Sequence, residues 1–259
     1  MGLVQIEDRG AVRHVVMTRA EKRNAMNGEM VLALGDAFRE AQMDDSVRVV
    51  VVRGDGPMFS SGMDLGSLAD LSGDPTGLRP FRAEVLRAWN QLEEMTKPTI
   101  CQIHGACIGG AMELALAADM RVMAEDAVAA ILEVKVGLIP DVGGCSRLPS
   151  IVGLGRAKEL IMTGRFVDGR EAHAIGFANR VAPADELDQV TTQLCDDLLS
   201  AAPRAIALAK GVLDAAAKPA LEETLEREVD AQEQLAATAD FAEGTSAFLE
   251  KRQAEFAGR

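Results

Sequence analysis

The chain is 259 residues long and 48% hydrophobic, with one Trp, no Tyr and a formal net charge of −13. That length allows one large domain or two small ones, and the apolar fraction is ample for a core of aliphatic side chains and Ala. The acidic balance argues against nucleic acid and against an anionic membrane surface as partners, while an anionic small molecule stays open where basic residues and helix N-termini cluster.

Residues 3–6 and 11–18 read as two strands, with Asp8-Arg9-Gly10 as the turn between them. Asn27 is placed to cap a helix running to about Gln42, whose apolar face is Met30, Val31, Leu34, Ala37, Phe38 and Ala41. Residues 47–52 are nearly all β-branched, as in a buried parallel strand. A glycine-containing loop, Phe59-Ser60-Ser61-Gly62-Met63-Asp64-Leu65, follows. Residues 66–79 are rich in Gly, Pro, Ser and Asp, which predicts an irregular or mobile segment. A helix over 80–95, a strand over 98–103, a helix over 109–118 and a strand over 120–123 come next. Beyond residue 183 the sequence is helical throughout. Pro183 and Pro203 fit helix starts, and Asp240-Phe241-Ala242-Glu243 has the spacing of a capping box. The alternation predicts an α/β core with repeated crossovers, over residues 1–183, followed by a helical region over 184–259. That region packs either on its own core or on a neighbouring subunit.

Two strand ends open into glycine-containing loops, at 59–65 and 104–110, and ligands in α/β folds gather at such ends. The second loop, His104 to Gly110, runs into an apolar helix with Glu113 in its first turn. Small residues allow backbone N–H groups to approach a ligand, and a helix start leaves such groups unpaired. The N–H groups of Met63 and Gly110 are the candidates for gripping one carbonyl oxygen as negative charge grows on it. The same glycines also suit a strand-to-helix connection that needs small residues for packing. Glu133 and Asp141 are carboxylates in an otherwise apolar stretch, where burial and mutual repulsion raise a carboxyl pKa and suit it to proton transfer. Asp141 also precedes a helix-like stretch, where an Asp commonly serves as a cap. His104 reads better as a packed, hydrogen-bonded side chain than as a catalyst, and His14 and His173 have no partner suggested by spacing. Lys22-Arg23 is either an ordinary exposed turn or a phosphate contact. Cys101, Cys107, Cys145 and Cys195 form no CxxC pair, so free thiols are expected, with no disulfide framework and no zinc site. With no secretory signal pattern and no bilayer-length apolar run, the expected location is cytoplasmic.

Taken together, the segments 18–27, 59–65, 104–119, 133–148 and 242–252 resemble the crotonase, or enoyl-CoA hydratase/isomerase, superfamily over essentially the whole chain. The resemblance implies a spiral of ββα units with a C-terminal helical trimerisation region, and a homotrimer or dimer of trimers. It implies an acyl-CoA substrate whose thioester carbonyl sits between the Met63 and Gly110 N–H groups. Lys22, Arg23, Ala25, Ser61, Asp64, Leu65 and Lys251 match the family's CoA-binding positions. Glu113 and Glu133 match the two glutamates of the hydratases, which add water to trans-2-enoyl-CoA thioesters in fatty acid degradation with no metal and no cofactor beyond the substrate's own coenzyme A. Asp141 departs from the usual hydratase pattern. With Glu133 it resembles the acid pair of the dienoyl-CoA isomerases, whose acid matching Glu113 is an aspartate. The expected activity is therefore enoyl-CoA hydration, with double-bond isomerisation through Glu133 and Asp141 as the alternative and a non-catalytic acyl-CoA-binding protein as a further one.

Overall fold

A computed structural model describes residues 2–64, 66 and 75–258. Its strands are β1 (Val4–Arg9), β2 (Val12–Met17), β3 (Val49–Gly54), β4 (Thr99–Ile103), β5 (Ala106–Ile108), β6 (Met120–Ala124), β7 (Val128–Ala130), β8 (Val167–Asp168) and β9 (Arg180–Ala182). Between them lie α1 (Gly28–Met43), α2 (Pro75–Glu93), α3 (Gly110–Ala117), α4 (Gly144–Val152), α5 (Leu154–Thr163) and α6 (Gly169–Ala174). Four helices close the chain: α7 (Leu187–Leu199), α8 (Pro203–Ala217), α9 (Leu221–Ala236) and α10 (Ala239–Leu249).

The larger sheet has the order β1-β2-β3-β4-β6-β9, and a smaller one has the order β5-β7-β8. Only the β1–β2 hairpin is antiparallel in the larger sheet; β2, β3, β4, β6 and β9 pair in parallel, Val15 beside Val52 and Val52 beside Cys101. The Val-rich β3 is buried on both faces, as a central parallel strand requires. Twice the chain leaves the large sheet, adds a short strand to the small one and returns: β4 to β5, and β6 to β7. The 59–63 loop after β3 follows the same path, since Ser60 bridges Cys107 of β5 and Met63 bridges Met26. Stacked turns of this kind set the ends of β3, β4 and β6 side by side.

Several expectations shift at their edges. The predicted cap holds: the Asn27 side chain accepts from Met30 N at 3.1 Å. The helix expected from residue 80 instead starts at Pro75 and runs through Pro80, carried past the missing donor by packing on α1 and α9. The irregular segment expected over 66–79 falls largely outside the described residues, as does Leu65. The capping box is not formed. Thr238 caps α10 by accepting from Phe241 N at 3.2 Å, while Asp240 accepts from the tail amides of Ala257 and Gly258 at 2.6 and 2.8 Å. Pro203 starts α8, and Pro183 precedes a short 3₁₀ turn before α7. Among the described residues no helix is long and apolar enough to cross a membrane. The four cysteines are free, and burial pushes the Cys101 thiol up to about 12.

Candidate active site

The two glycine-containing loops meet. Phe59 N donates to His104 O at 2.9 Å, Ser60 N to Ala106 O at 3.0 Å, and Ile108 N returns to Ser60 O at 3.2 Å. The approach is close enough that side chains would prevent it. A Cβ on Gly110 would stand 2.9 Å from Met63 Cγ, and one on Gly62, at φ +93°, would collide with Ile108 O. Within the described residues no acceptor takes the N–H of Met63 or of Gly110, so both stay available at the mouth of α3.

What holds the first loop is Asn24, which is fully buried. Its Nδ2 donates to the carbonyls of Asp55, Met58 and Phe59 at 2.8, 2.9 and 3.1 Å, and its Oδ1 accepts from Arg19 N at 3.0 Å. Ser60 Oγ donates to Asn24 O at 2.8 Å and accepts from Gly62 N at 3.1 Å. Those bonds bring the 22–25 segment beside the loop. Ser61 N donates to Arg23 O at 3.0 Å, and Arg19 Nη1 joins Ala25 O at 2.9 Å to Asp64 Oδ2 at 2.6 Å. Lys22 and Arg23 are exposed on that edge. Lys251 lies apart, in the exposed turn after α10, with no hydrogen bond or ion pair to this group among the described residues.

A cavity of about 150 Å³ opens against these loops. Gly62, Met63, Gly109 and Gly110 form one wall, Phe81 and Val85 of α2 another, and Gln232, Phe241 and Phe248 of the last two helices a third. Glu113, Glu133 and Asp141 all face into it. Glu113 Oε1 accepts from Val142 N at 3.0 Å and Gly144 N at 2.9 Å. Burial, and then the charges of Glu133, Asp141 and Glu228, still raise its pKa well above the usual carboxylate range. Glu133 stands at the start of a 3₁₀ turn over 133–136. Among the described residues its Oε2 is buried without a hydrogen-bond partner, and its Oε1 is 2.8 Å from where a Cβ on Gly109 would be. Burial pushes the Glu133 carboxyl up to about 7.

Asp141 does not cap α4. That helix begins behind Gly143 with no side-chain cap. Asp141 faces the buried Arg82 guanidinium instead, with Nε 3.4 Å from Oδ2 and donating to Asp141 O at 2.5 Å. Burial raises its carboxyl to about 7 despite Arg82, with Glu228 and Glu133 adding to the rise. The histidines stand outside the cavity: His104 Nε2 is 3.0 Å from Gly56 O, His173 Nδ1 is 3.0 Å from Ala178 O, and burial lowers His14 to about 4. Among the described residues no group of three or more His, Cys, Asp or Glu is placed to hold a metal ion.

Two N–H groups without an acceptor among the described residues, beside carboxyls whose pKa values burial raises, have the geometry to hold a carbonyl oxygen and to move protons at its neighbouring carbons. Comparison with known proteins shows the family. The family described as "Enoyl-CoA hydratase/isomerase" matches residues 7–259. The chain belongs to that family. It is 34% identical over 245 residues to "Probable enoyl-CoA hydratase 2, mitochondrial" of Arabidopsis thaliana, covering 94% of this chain and 81% of the relative. It is 32% identical over 253 residues to the "1,2-epoxyphenylacetyl-CoA isomerase" of Escherichia coli, covering 96% and 95%. An enoyl-CoA hydratase structure from Mycobacterium avium subsp. paratuberculosis superposes with a TM-score of 0.90 at 27% identity, covering 99% of both chains. The enoyl-CoA hydratase/isomerase fold is thus the fold of this chain, and its relatives carry both hydratase and isomerase names.

The site draws on residues that sequence reasoning missed: Arg82, Glu228 and Gln232. Each lies on the buried stripe of an amphipathic helix, Arg82 with Val85 and Trp89, Glu228 and Gln232 with Leu225 and Val229. A polar residue on an apolar stripe is the signal that could have found them.

Proposed function

We propose that the protein is an enoyl-CoA hydratase acting on trans-2-enoyl-CoA thioesters of fatty acid degradation. The observation that carries this reading is the placement of Glu113 and Glu133 in one cavity with the free N–H groups of Met63 and Gly110. The N–H pair holds the thioester oxygen as the enolate develops, without reorganising. Glu113 acts in its ionised form, which the two amides on its Oε1 favour against burial, and takes the proton of the attacking water at Cβ. Glu133 delivers a proton at Cα, and a carboxyl near 7 holds that proton at neutral pH and can release it. The coenzyme A portion runs along Lys22, Arg23, Ala25, Ser61 and Asp64, with Leu65 and Lys251 completing the set. No metal or further cofactor enters, and the working assembly is a homotrimer or a dimer of trimers.

One observation favours a second reading. Asp141 is not a cap but a cavity-lining acid raised to about 7, which suits a proton shuttle with Glu133 in a dienoyl-CoA double-bond isomerase. Crotonyl-CoA hydration, followed as loss of the conjugated thioester's ultraviolet absorbance, tests the first reading. Rapid loss supports it; no loss, with turnover of a 3,5-dienoyl-CoA, supports the second, and binding of both without turnover marks a non-catalytic acyl-CoA-binding protein.

A further inference from the structure

Residues 141–146 carry the acid Asp141 and the two amides that hold Glu113, yet they belong to no strand and only reach helix at Gly144. Their backbone is gripped alternately. Val142 N and Gly144 N point to Glu113. Gly143 N points the other way and donates to Glu228 Oε2 at 2.9 Å, while Ser146 N and Ser146 Oγ donate to Glu228 Oε1 at 2.7 and 2.6 Å. Glu228 is buried, belongs to α9 and does not line the cavity. All three hydrogen bonds run toward Glu228, so both of its oxygens serve as acceptors, and these donors offset part of the rise that burial brings to its pKa.

From this geometry we infer that Glu228 is a positioning residue for the reaction, the outer half of a two-carboxylate clamp whose inner half is Glu113. It acts through the 142–146 backbone: by fixing Gly143 and Ser146 from outside, it fixes the direction of the Val142 and Gly144 amides that flank Gly143 and aim Glu113, and the start of the turn that carries Asp141. A glutamine at 228 cannot substitute, because one of its two terminal atoms would present N–H to a donor. The charged and titratable groups that face the clamp include Arg82 from α2, Glu113 from α3, Glu133 and Asp141 from the turn segments, and Cys145 and Arg147 from α4.

The kinetic part of this inference rests on the thioester chemistry proposed above; its structural part does not. The test is Glu228→Gln in the full chain, with Val229→Ala as a comparison, a buried neighbour on the same helix that makes none of these hydrogen bonds. Amide hydrogen exchange is measured at Val142 and Gly144, which Glu228 does not touch. In Glu228→Gln both amides exchange at least about tenfold faster than in Val229→Ala at matched global stability. On the reaction the wild type turns over, kcat falls at least about tenfold with KM within about threefold, and adding Glu228→Gln to Glu113→Gln lowers kcat by less than about threefold more, since the two act as one unit. If Glu228→Gln does not fold, Ser146→Ala, which removes only the Oγ donor, speeds the same amides by about threefold. Unchanged exchange at Val142 and Gly144, or losses that multiply independently in the double variant, overturns the clamp. A wild type that turns over neither thioester overturns the proposed function and leaves the exchange result to decide the clamp.

Discussion

Glu133 and Asp141 keep their protons to about pH 7 because the cavity buries them. A carboxyl whose pKa is higher in the folded than in the unfolded chain binds more protons when folded. The stability it contributes is full below its unfolded pKa near 4 and is lost as pH rises through 7. Glu133→Gln removes this penalty. Its stability relative to wild type is therefore expected to rise from pH 4.5 to pH 8 by about 1–3 kcal/mol, measured by urea unfolding at each pH. At the same scale, Glu113→Gln and Glu133→Gln each lower hydration at least about a hundredfold, while Asp141→Asn changes it little. The isomerase reading reverses the order of Asp141 and Glu113, so one steady-state comparison separates the two. Gly110→Ala drives a Cβ against Met63 and, if the proposed oxyanion role holds, should cost about a hundredfold or more in kcat. Glu113, Glu133 and Asp141 were readable because acids stand out in apolar sequence. The Asp141–Arg82 pair was not, because 59 positions separate its members and nothing local points from one to the other.

At the scale of elements, the alternation of β-branched runs with amphipathic stretches made the α/β order legible, and helix ends with a simple chemistry, such as Asn27, fell where expected. Ends set by tertiary contacts did not. Asp240 looked like a cap, yet it holds the tail, and Pro80 looked like a boundary, yet the helix passes it. The loop before Asp64 shows the same limit. Its glycines announce a close approach, but its shape depends on Asn24, whose amide satisfies three carbonyls from a distant segment. Asn24→Ala leaves those buried carbonyls without a donor and is expected to destabilise the fold by about 2–4 kcal/mol, read from the shift in denaturant midpoint at unchanged m. The Glu93–Arg147 pair behaves alike. Arg147 is fully buried and donates to Glu93 Oε2 at 3.0 and 2.7 Å and to Val142 O, while Lys218 donates to Glu93 Oε1, so Glu93→Gln leaves both cations without their carboxylate and costs about 3–5 kcal/mol in the same assay.

Across the whole molecule, the helices after residue 183 pack back onto their own chain, α9 on α4 and α2, and α10 on the 133–136 turn. They also leave Leu208, Val212 and Leu213 of α8 about 70% exposed, a run of large apolar side chains that assembly into a trimer would cover. Light scattering after size exclusion is expected to give three or six copies of the 27.5 kDa chain, and Leu213→Glu to shift the population toward smaller species. The cavity itself spans the sequence: its first wall residue is Ser61 and its last is Phe248. On the ribosome, therefore, the glycine loops and acids emerge long before the helices that roof them, and the enclosure closes only after Phe248 has been made. Until then an apolar trough faces solvent, its carboxyls hydrated and in their ordinary range, the kind of transient surface that chaperones bind.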